Sequence, residues 1–344
     1  MANTITIPLG VSRTPPGSSE SGCSVVVPNW NGRVWLDVCL RSLAAQTSPP
    51  REVVVIDNGS TDGSVAHLRQ AHPQVRVVAL AANTGFAHAA NVGLHCTDGE
   101  YVAFVNTDVE LAPGWLQHTS QALANHPRAA SVACKMVELS RPDRIYDAGD
   151  ILRRDGACEQ RGRFEPDDGR WDDPGVIFGA CAGAALYRRA ALIEVGGFDE
   201  RYFAYLEDVD LALRLRLRGW DCRYEPVVAR HAGEGSSHQL PGGHLPLVAR
   251  NTLVLVAKAF PLRWLPLVAY RQLGWAWHAH RNRRLCAHLG GVAAALPMLP
   301  SALRERRRLR ASARIDVAAA VPHRPIRGPR AGGHRSRHAD RGPA

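Results

Sequence analysis

Four runs of branched apolar residues punctuate the first third of the chain, at 24–29 (SVVVPN), 52–60 (EVVVIDNGS), 75–80 (VRVVAL) and 100–108 (EYVAFVNTD). None alternates with polar residues, the pattern of strands buried on both faces. Between them, residues 34–46, 64–72 and 85–96 carry apolar residues at helical spacing. This succession predicts an α/β fold, a parallel sheet covered by helices on both faces. In such sheets ligands sit beyond the carboxyl ends of the strands. Those ends are Pro28-Asn29-Trp30-Asn31, Asp57-Asn58-Gly59-Ser60, Asn83-Thr84-Gly85-Phe86 and Asn106-Thr107-Asp108, each small and polar.

The second half is more mixed. Residues 176–189 read as a strand or small-residue turn, 190–195 as a short helix closed by Gly196-Gly197, 206–220 as a helix stopped by Gly219, and 222–233 as a strand ending near His231. From Leu245 the chain turns apolar and basic, with Trp264, Tyr270, Trp275 and Trp277 among Leu and Arg, a composition suited to interfacial amphipathic helices. Residues 285–303 are uncharged but interrupted by Gly and Pro, and read as interfacial or re-entrant rather than spanning. The expected organisation is a disordered segment over 1–21, a catalytic-type α/β domain over 22–245, a helical membrane-associating region over 246–312 and a disordered Arg-rich tail over 313–344.

Charge sharpens this division. Residues 1–240 hold 23 Lys and Arg against 29 Asp and Glu, net −6; residues 241–344 hold 19 against 3, net +16. A basic C-terminal third on an acidic body signals an anionic partner, lipid headgroups or nucleic acid. The tail lacks interleaved aromatics for base stacking, so no specific nucleic-acid binding is expected. The eight cysteines are scattered without a C-x-x-C pair, which fits reduced thiols. No charged-then-apolar leader opens the chain, and no long uncharged apolar run marks a polytopic membrane protein. The expected location is cytoplasmic.

Several acids and histidines are candidates for chemistry. Asp57 could hydrogen-bond a base or ribose, or cap the next turn, although Asp62 is better placed as the cap. No G-x-G-x-x-G and no P-loop accompany the strand ends. Asp108, ending a buried strand, could hold a divalent cation against diphosphate oxygens, or could belong to an ordinary turn. Glu207, Asp208 and Asp210 open a helix, where the dipole favours acids. Phe203-Ala204-Tyr205-Leu206 before them would half-bury the group and raise a carboxylate to the pKa range of a general base. Asp210 can pair with Arg214 one turn on. His231 and His238 flank a Gly/Ser stretch, and a histidine there can complete a metal site.

Taken in order, VVVPNWNG (25–32), VVVIDNGSTDGS (53–64), NTGFAHAANVG (83–93), FVNTDVEL (104–111), VGGFDERYFAYLEDVDLALRLRLRGW (195–220), the stretch from His231 and the Arg250-Asn251 pair resemble the family 2 inverting glycosyltransferases of the GT-A fold, in particular their bacterial rhamnosyltransferase-like branch. The resemblance covers roughly residues 23–260. It implies a Rossmann-like, mostly parallel sheet and a nucleoside pocket lined by Pro28, Asn29, Asn31 and Asp57. Asn83, Gly85, Phe86 and Asn91 would shape the donor cleft. Asn106-Thr107-Asp108 stands at the family's D-x-D with Asn as its first residue, which leaves Asp108 to hold Mg²⁺ or Mn²⁺ with His231. Asp208 matches the general base, with Glu207 beside it, and Gly197, Phe198 and Asp199 would lie on the acceptor side.

The implied reaction moves a sugar, L-rhamnose from dTDP-rhamnose, onto a cell-envelope glycan or polyprenyl-diphosphate-linked acceptor at the inner face of an anionic membrane. The alternatives are a UDP- or GDP-sugar donor, such as galactofuranosyl or mannosyl transfer, or a non-catalytic sugar-nucleotide-binding protein.

Overall fold

The structure is a computed structural model that describes residues 22–233 and 243–323. Twelve strands are described: β1 (Cys23–Asn29), β2 (Glu52–Asp57), β3 (Arg76–Ala79), β4 (Tyr101–Val105), β5 (Val109–Leu111), β6 (Ala129–Glu138), β7 (Arg141–Asp147), β8 (Asp150–Leu152), β9 (Cys158–Gln160), β10 (Gly175–Ile177), β11 (Ala184–Arg188) and β12 (Asp221–His231). The α/β half carries helices α1 (Arg33–Ala44), α2 (Ser64–Ala71), α3 (Phe86–Cys96), α4 (Trp115–Asn125), α5 (Arg189–Val195) and α6 (Glu207–Leu217). A helical C-terminal region follows: α7 (Leu245–Ala259), α8 (Leu265–Arg281), α9 (Leu285–Ala295), α10 (Leu299–Ser312) and α11 (Val317–Ala320).

Ten strands form one mixed sheet in the order β10-β12-β6-β11-β4-β1-β2-β3, with β5 added to β12 and β7 to β6. The run β4-β1-β2-β3 is parallel, as the non-alternating apolar pattern predicts. β11 enters antiparallel to β4, while β12 and β6 are parallel to each other. The strand order reverses between β1 and β4, so the crevice above those two carboxyl ends is the natural ligand position. One apolar core lies between the sheet and α3, α5 and α6. A second, built around Leu36, Leu40, Leu68 and Trp115, lies under α1, α2 and α4.

A third core joins α6 to the C-terminal helices through Tyr202, Val209, Leu213, Val254, Leu255, Phe260 and Trp264. Residues 246–312 therefore share a core with the α/β half. Order also runs past residue 312: α11 buries Ala320, and Arg154 donates to the Ala318 and Val321 carbonyls, so residues 313–323 do not belong to a disordered tail. Trp264 is buried in this core and Trp275 lines the central cavity, whereas Tyr270 and Trp277 are exposed as interfacial residues would be. Residues 1–21 and 324–344, assigned to disorder, lie outside the described residues, as does His238.

Candidate active site

The loops after β1, β2, β3 and β4 converge on a cavity of about 710 Å³, within the range of small-molecule sites. Pro28, Asn29, Asn83, Gly85, Phe86, Asn106, Thr107 and Asp108 line it from this side. The loops hold one another through side-chain amides. The buried Asn58 donates to Asn83 Oδ1 at 3.0 Å and the Gly85 carbonyl at 3.1 Å, and accepts from the Thr84 N–H at 2.9 Å.

Asp57 is buried behind this surface. One carboxylate oxygen accepts from Asn29 Nδ2 at 2.7 Å and the other from the Ser60 N–H at 3.0 Å. It orients Asn29, which faces the cavity, rather than lining the cavity itself. Asn31, at φ 51°, accepts from the Thr61 N–H and likewise braces two loops outside the lining.

Sheet register sets the next pair. β5 runs antiparallel to the end of β12, with His231 opposite Val109, and the Ala232 N–H donates to the Asp108 carbonyl at 2.9 Å. His231 Nε2 consequently lies 3.3 Å from Asp108 Oδ1. Asp108 Oδ2 and His231 Nδ1 are buried with no hydrogen-bond partner among the described residues. An unmet carboxylate oxygen beside an imidazole, lining the cavity, fits the donor set for a divalent cation. Tyr146 packs on the His231 ring at 4.2 Å between centroids, and the Arg163 guanidinium stacks over Tyr146.

The opposite wall is acidic. Glu207 and Asp208 open α6, and Asp150 projects from β8; all three line the cavity. Asp208 is half-buried, and its carboxylate accepts from the Val209 N–H at 2.8 Å and the Ala182 N–H at 3.3 Å. Burial raises the pKa of Asp208, against those two bonds. Burial also lifts Glu207 well above the ordinary carboxylate range, with Asp208 adding repulsion. Asp150 rises for the same two reasons, and buried Asp147 behind it rises to about 6. Neighbouring carboxylates taken out of water cannot all ionise, so this wall holds protons that a solvated cluster would lose.

The turn leading into α6 is strained. Phe203, Tyr205 and Leu206 have φ of 63°, 69° and 66°. Phe203 sits at φ 63°, ψ −68°, with the Ala204 N–H donating to the Tyr202 carbonyl at 2.7 Å, a γ-turn of the rare positive-φ kind. The buried Asn251 of α7 holds it, its amide nitrogen donating to the Tyr202, Ala204 and Tyr205 carbonyls at 3.0, 2.9 and 2.7 Å. Arg250 donates to Asn251 Oδ1, fixing the amide's orientation, and to the Tyr202 carbonyl at 2.6 Å. On the other side the Ala87 N–H donates to the Phe203 carbonyl, and a Cβ on Gly85 would stand 2.5 Å from that oxygen.

Asn91, Gly197, Phe198 and Asp199 do not line the cavity. Asn91 is a tie within the fold, exchanging hydrogen bonds with the Phe198 backbone and donating to Glu200. Phe198 packs edge-on against Phe86 and Phe104. Asp199 bonds Arg201 and Lys258, and Lys258 Nζ also reaches Asp210 at 2.7 Å. Asp210 pairs with Arg214 at 2.7 Å, as the spacing predicts. The sequence pattern does not pick out Tyr146, Asp150, Cys181 or Tyr205 as cavity residues. The one available sign is the pair of acids in Asp147-Ala148-Gly149-Asp150.

The family described as "Glycosyl transferase family 2" matches residues 24–196. The chain is 31% identical over 274 residues, 70% of its length and 87% of the relative's, to the N-acetylglucosaminyl-diphospho-decaprenol L-rhamnosyltransferase of Mycobacterium tuberculosis. It is 29% identical over 230 residues, 62% of its length and 43% of the relative's, to the pre-mycofactocin glycosyltransferase of the same organism. Among solved structures, the Pyrobaculum calidifontis mannosyltransferase PcManGT, solved with GDP-Man and Mn²⁺, superposes with a TM-score of 0.50 at 20% identity over 86% of each chain. GalNAc-T7, solved with UDP, GalNAc and Mn²⁺, gives 0.56 at 15% identity over 71% of this chain and 49% of its own. These two likenesses concern the fold.

Proposed function

The chain belongs to glycosyl transferase family 2, and on that premise we propose that this glycosyltransferase moves L-rhamnose from a dTDP donor, with inversion, to a hydroxyl of a polyprenyl-diphosphate-linked glycan. One observation carries the reading: a half-buried carboxylate of raised pKa, Asp208, shares a cavity with the Asp108–His231 pair. The named activity of the M. tuberculosis relative supports the choice of sugar and acceptor.

In this reading Pro28, Asn29, Asn83 and Phe86 hold the nucleoside, Asn106 and Thr107 border the diphosphate, and Asp57 keeps Asn29 in place. Asp208 accepts the proton of the acceptor hydroxyl. The freed oxygen bonds to the anomeric carbon from the face opposite the diphosphate, and the carbon–oxygen bond to the diphosphate breaks. Glu207, raised well above the ordinary carboxylate range by burial and by the Asp208 charge, stands beside the base. Asp108 and His231 would hold Mg²⁺ or Mn²⁺, which when bound offsets the charge of the departing diphosphate. The wall contributed by α7 and α8, with His244, Val248, Thr252 and Trp275 facing the cavity, supports an acceptor that approaches from the C-terminal helices.

α8 and the turn before it expose Leu262, Leu265, Tyr270, Leu273 and Trp277, and the same stretch carries Arg263 and Arg281. The run Leu285–Ser312 is long and apolar enough to cross a membrane by length and composition. A peripheral position on an anionic bilayer is the reading this supports, with aromatics and arginines at the headgroups.

The test is nucleoside diphosphate release from dTDP-rhamnose, UDP-sugars and GDP-sugars, with Mg²⁺ or Mn²⁺, with and without a lipid-linked acceptor. Acceptor-dependent release from dTDP-rhamnose is expected. Release from a UDP- or GDP-sugar instead overturns the donor, and acceptor-independent binding without release from any donor overturns the transfer reaction.

A further inference from the structure

We propose that Asp37, His67 and His72 form a second metal site, remote from the cavity, for a Zn²⁺-class divalent ion that staples α1 to α2. Asp37 lies on the second turn of α1, and His67 lies within α2. His72 is the first residue past α2; its N–H still bonds the Leu68 carbonyl, but its backbone leaves the helix at φ −132°, ψ 57°. In an unbroken helix residues five apart point about 140° away from each other. The break at His72 lets the two imidazoles converge instead.

Both do so on one atom: His67 Nε2 lies 2.6 Å and His72 Nε2 2.7 Å from Asp37 Oδ1. The rings meet edge-on, 5.6 Å between centroids at 77°. The histidine side chains are only 14% and 13% exposed, while Asp37 is 36% exposed, so the group is walled on the imidazole side and open at the carboxylate.

Two imidazoles and a carboxylate are a borderline donor set that suits Zn²⁺, Ni²⁺ or Cu²⁺ better than Mg²⁺. The cavity pair, Asp108 and His231, offers one of each and depends on phosphate oxygens for the rest. Bonds of about 2.0–2.2 Å would set tetrahedral donors about 3.3 Å apart, so the two Nε2–Oδ1 distances need to open only slightly, and the three ligand atoms already lie within 4.8 Å of one another. Both imidazoles then bind as Nδ1–H tautomers through Nε2, and the open side leaves room for water. The helices so joined follow the loops after β1 and β2, which already meet through the Arg33 N–H and Asp62 at 2.8 Å.

The full chain, freed of metal, is titrated with Zn²⁺ in competition with a chromophoric chelator, and its melting is followed with and without Zn²⁺. The wild type is expected to bind one equivalent more than the His67→Gln/His72→Gln variant and to show a Zn²⁺-dependent rise in Tm that the variant lacks. Asp37→Asn, which keeps a hydrogen-bonding group of the same shape, should also lose that equivalent, and covers the case in which the double variant does not fold. Asp108→Asn should keep it. Equal stoichiometry and equal Tm shifts in wild type and Asp37→Asn overturn the site. Loss of the equivalent in Asp108→Asn alone places the ion in the cavity and also overturns it. Neither outcome bears on sugar transfer, since the readouts are binding and melting.

Discussion

Replacing Asn251 with Leu tests whether the base is aimed by the C-terminal helices. The Asn251 amide is fully buried and holds three carbonyls of the turn that delivers Glu207 and Asp208. Its two hydrogens contribute about 1 kcal/mol each, and any carbonyl left unmet in the interior costs about 1–3 kcal/mol more. The loss is therefore about 2 kcal/mol at least. Against it stands the strain of Phe203, Tyr205 and Leu206 at positive φ, about 1–2 kcal/mol for each left-handed residue. Once the clamp is removed, relaxing one or two of these residues becomes downhill, and Asp208 moves with them. A misplacement of about 1 Å at a reacting group costs on the order of 10²-fold. The expected result is kcat for nucleoside diphosphate release reduced about 10²-fold, with donor KM less affected, because β1 to β4 carry the nucleotide loops and the turn meets them only where Gly85 and Ala87 abut the Phe203 carbonyl. Tm should fall by about 4–8 °C, since 1 kcal/mol shifts a domain of this size by about 2–4 °C. A folded Asn251→Leu protein with wild-type kcat, or one whose loss is matched by a rise in donor KM, would refute the reasoning.

Asp208→Asn should lower kcat by about 10²–10⁴-fold while donor binding by calorimetry persists. Because burial raises the Asp208 pKa, the base loses its proton only above the ordinary aspartate range. The acid limb of kcat should therefore lie above that range, with activity lost as pH falls through it; a limb at ordinary aspartate values would remove the assignment. The full chain should pellet with anionic liposomes at low salt and release as salt rises; no binding at low salt defeats the membrane reading. Lys258→Met leaves Asp199 and Asp210 without a shared cation in a buried site, and breaking such a pair costs about 3–5 kcal/mol. Asp199 is held below its ordinary pKa, partly by Arg201 and Lys258. Its contribution is thus complete above the unfolded pKa and fades as pH falls toward the folded one, so the difference between wild type and variant in urea melts should shrink in acid.

The parallel half was legible because β1, β2 and β4 are largely buried and so show unbroken apolar runs, while β3, the half-buried edge strand, keeps a short one. β6 is just as buried, but AASVACKMVE is built from small residues that mark no period. The stretch at 176–189, read as a strand or small-residue turn, divides into β10 and β11, which both run antiparallel to the β12-β6 pair and lie on opposite sides of it. Local sequence thus placed the strand-end loops, and Asp108, Asp208 and His231, singled out with them, line one cavity. It did not separate residues that face the cavity from those that hold them. Asp57 and Asn29 both end buried strands, and only the register Asn29↔Asp57 puts the acid behind the amide. Asp150 was hidden for a different reason, because it reaches the cavity through a short strand outside the main sheet; Asn251 stood out only as half of the Arg250-Asn251 pair, and no spacing encodes its approach to the turn before α6.

The same long-range contacts tie the basic C-terminal third to the turn before α6. α7 carries Asn251 to the strained turn and, through Val254, Leu255 and Lys258, packs on α6 and bonds Asp199 and Asp210. α8 places Trp275 on the cavity wall while exposing Tyr270, Leu273 and Trp277 along one outward stripe. A surface of that chemistry and the turn that aims the carboxylate thus belong to one packed unit. Displacing α7 or α8 by contact with lipid cannot leave the Asn251 clamp untouched. If the stripe meets a bilayer, acceptor arrival and alignment of Asp208 are coupled through α7, and anionic lipid should change kcat in the wild type but not in Asn251→Leu, where the mechanical link is already cut.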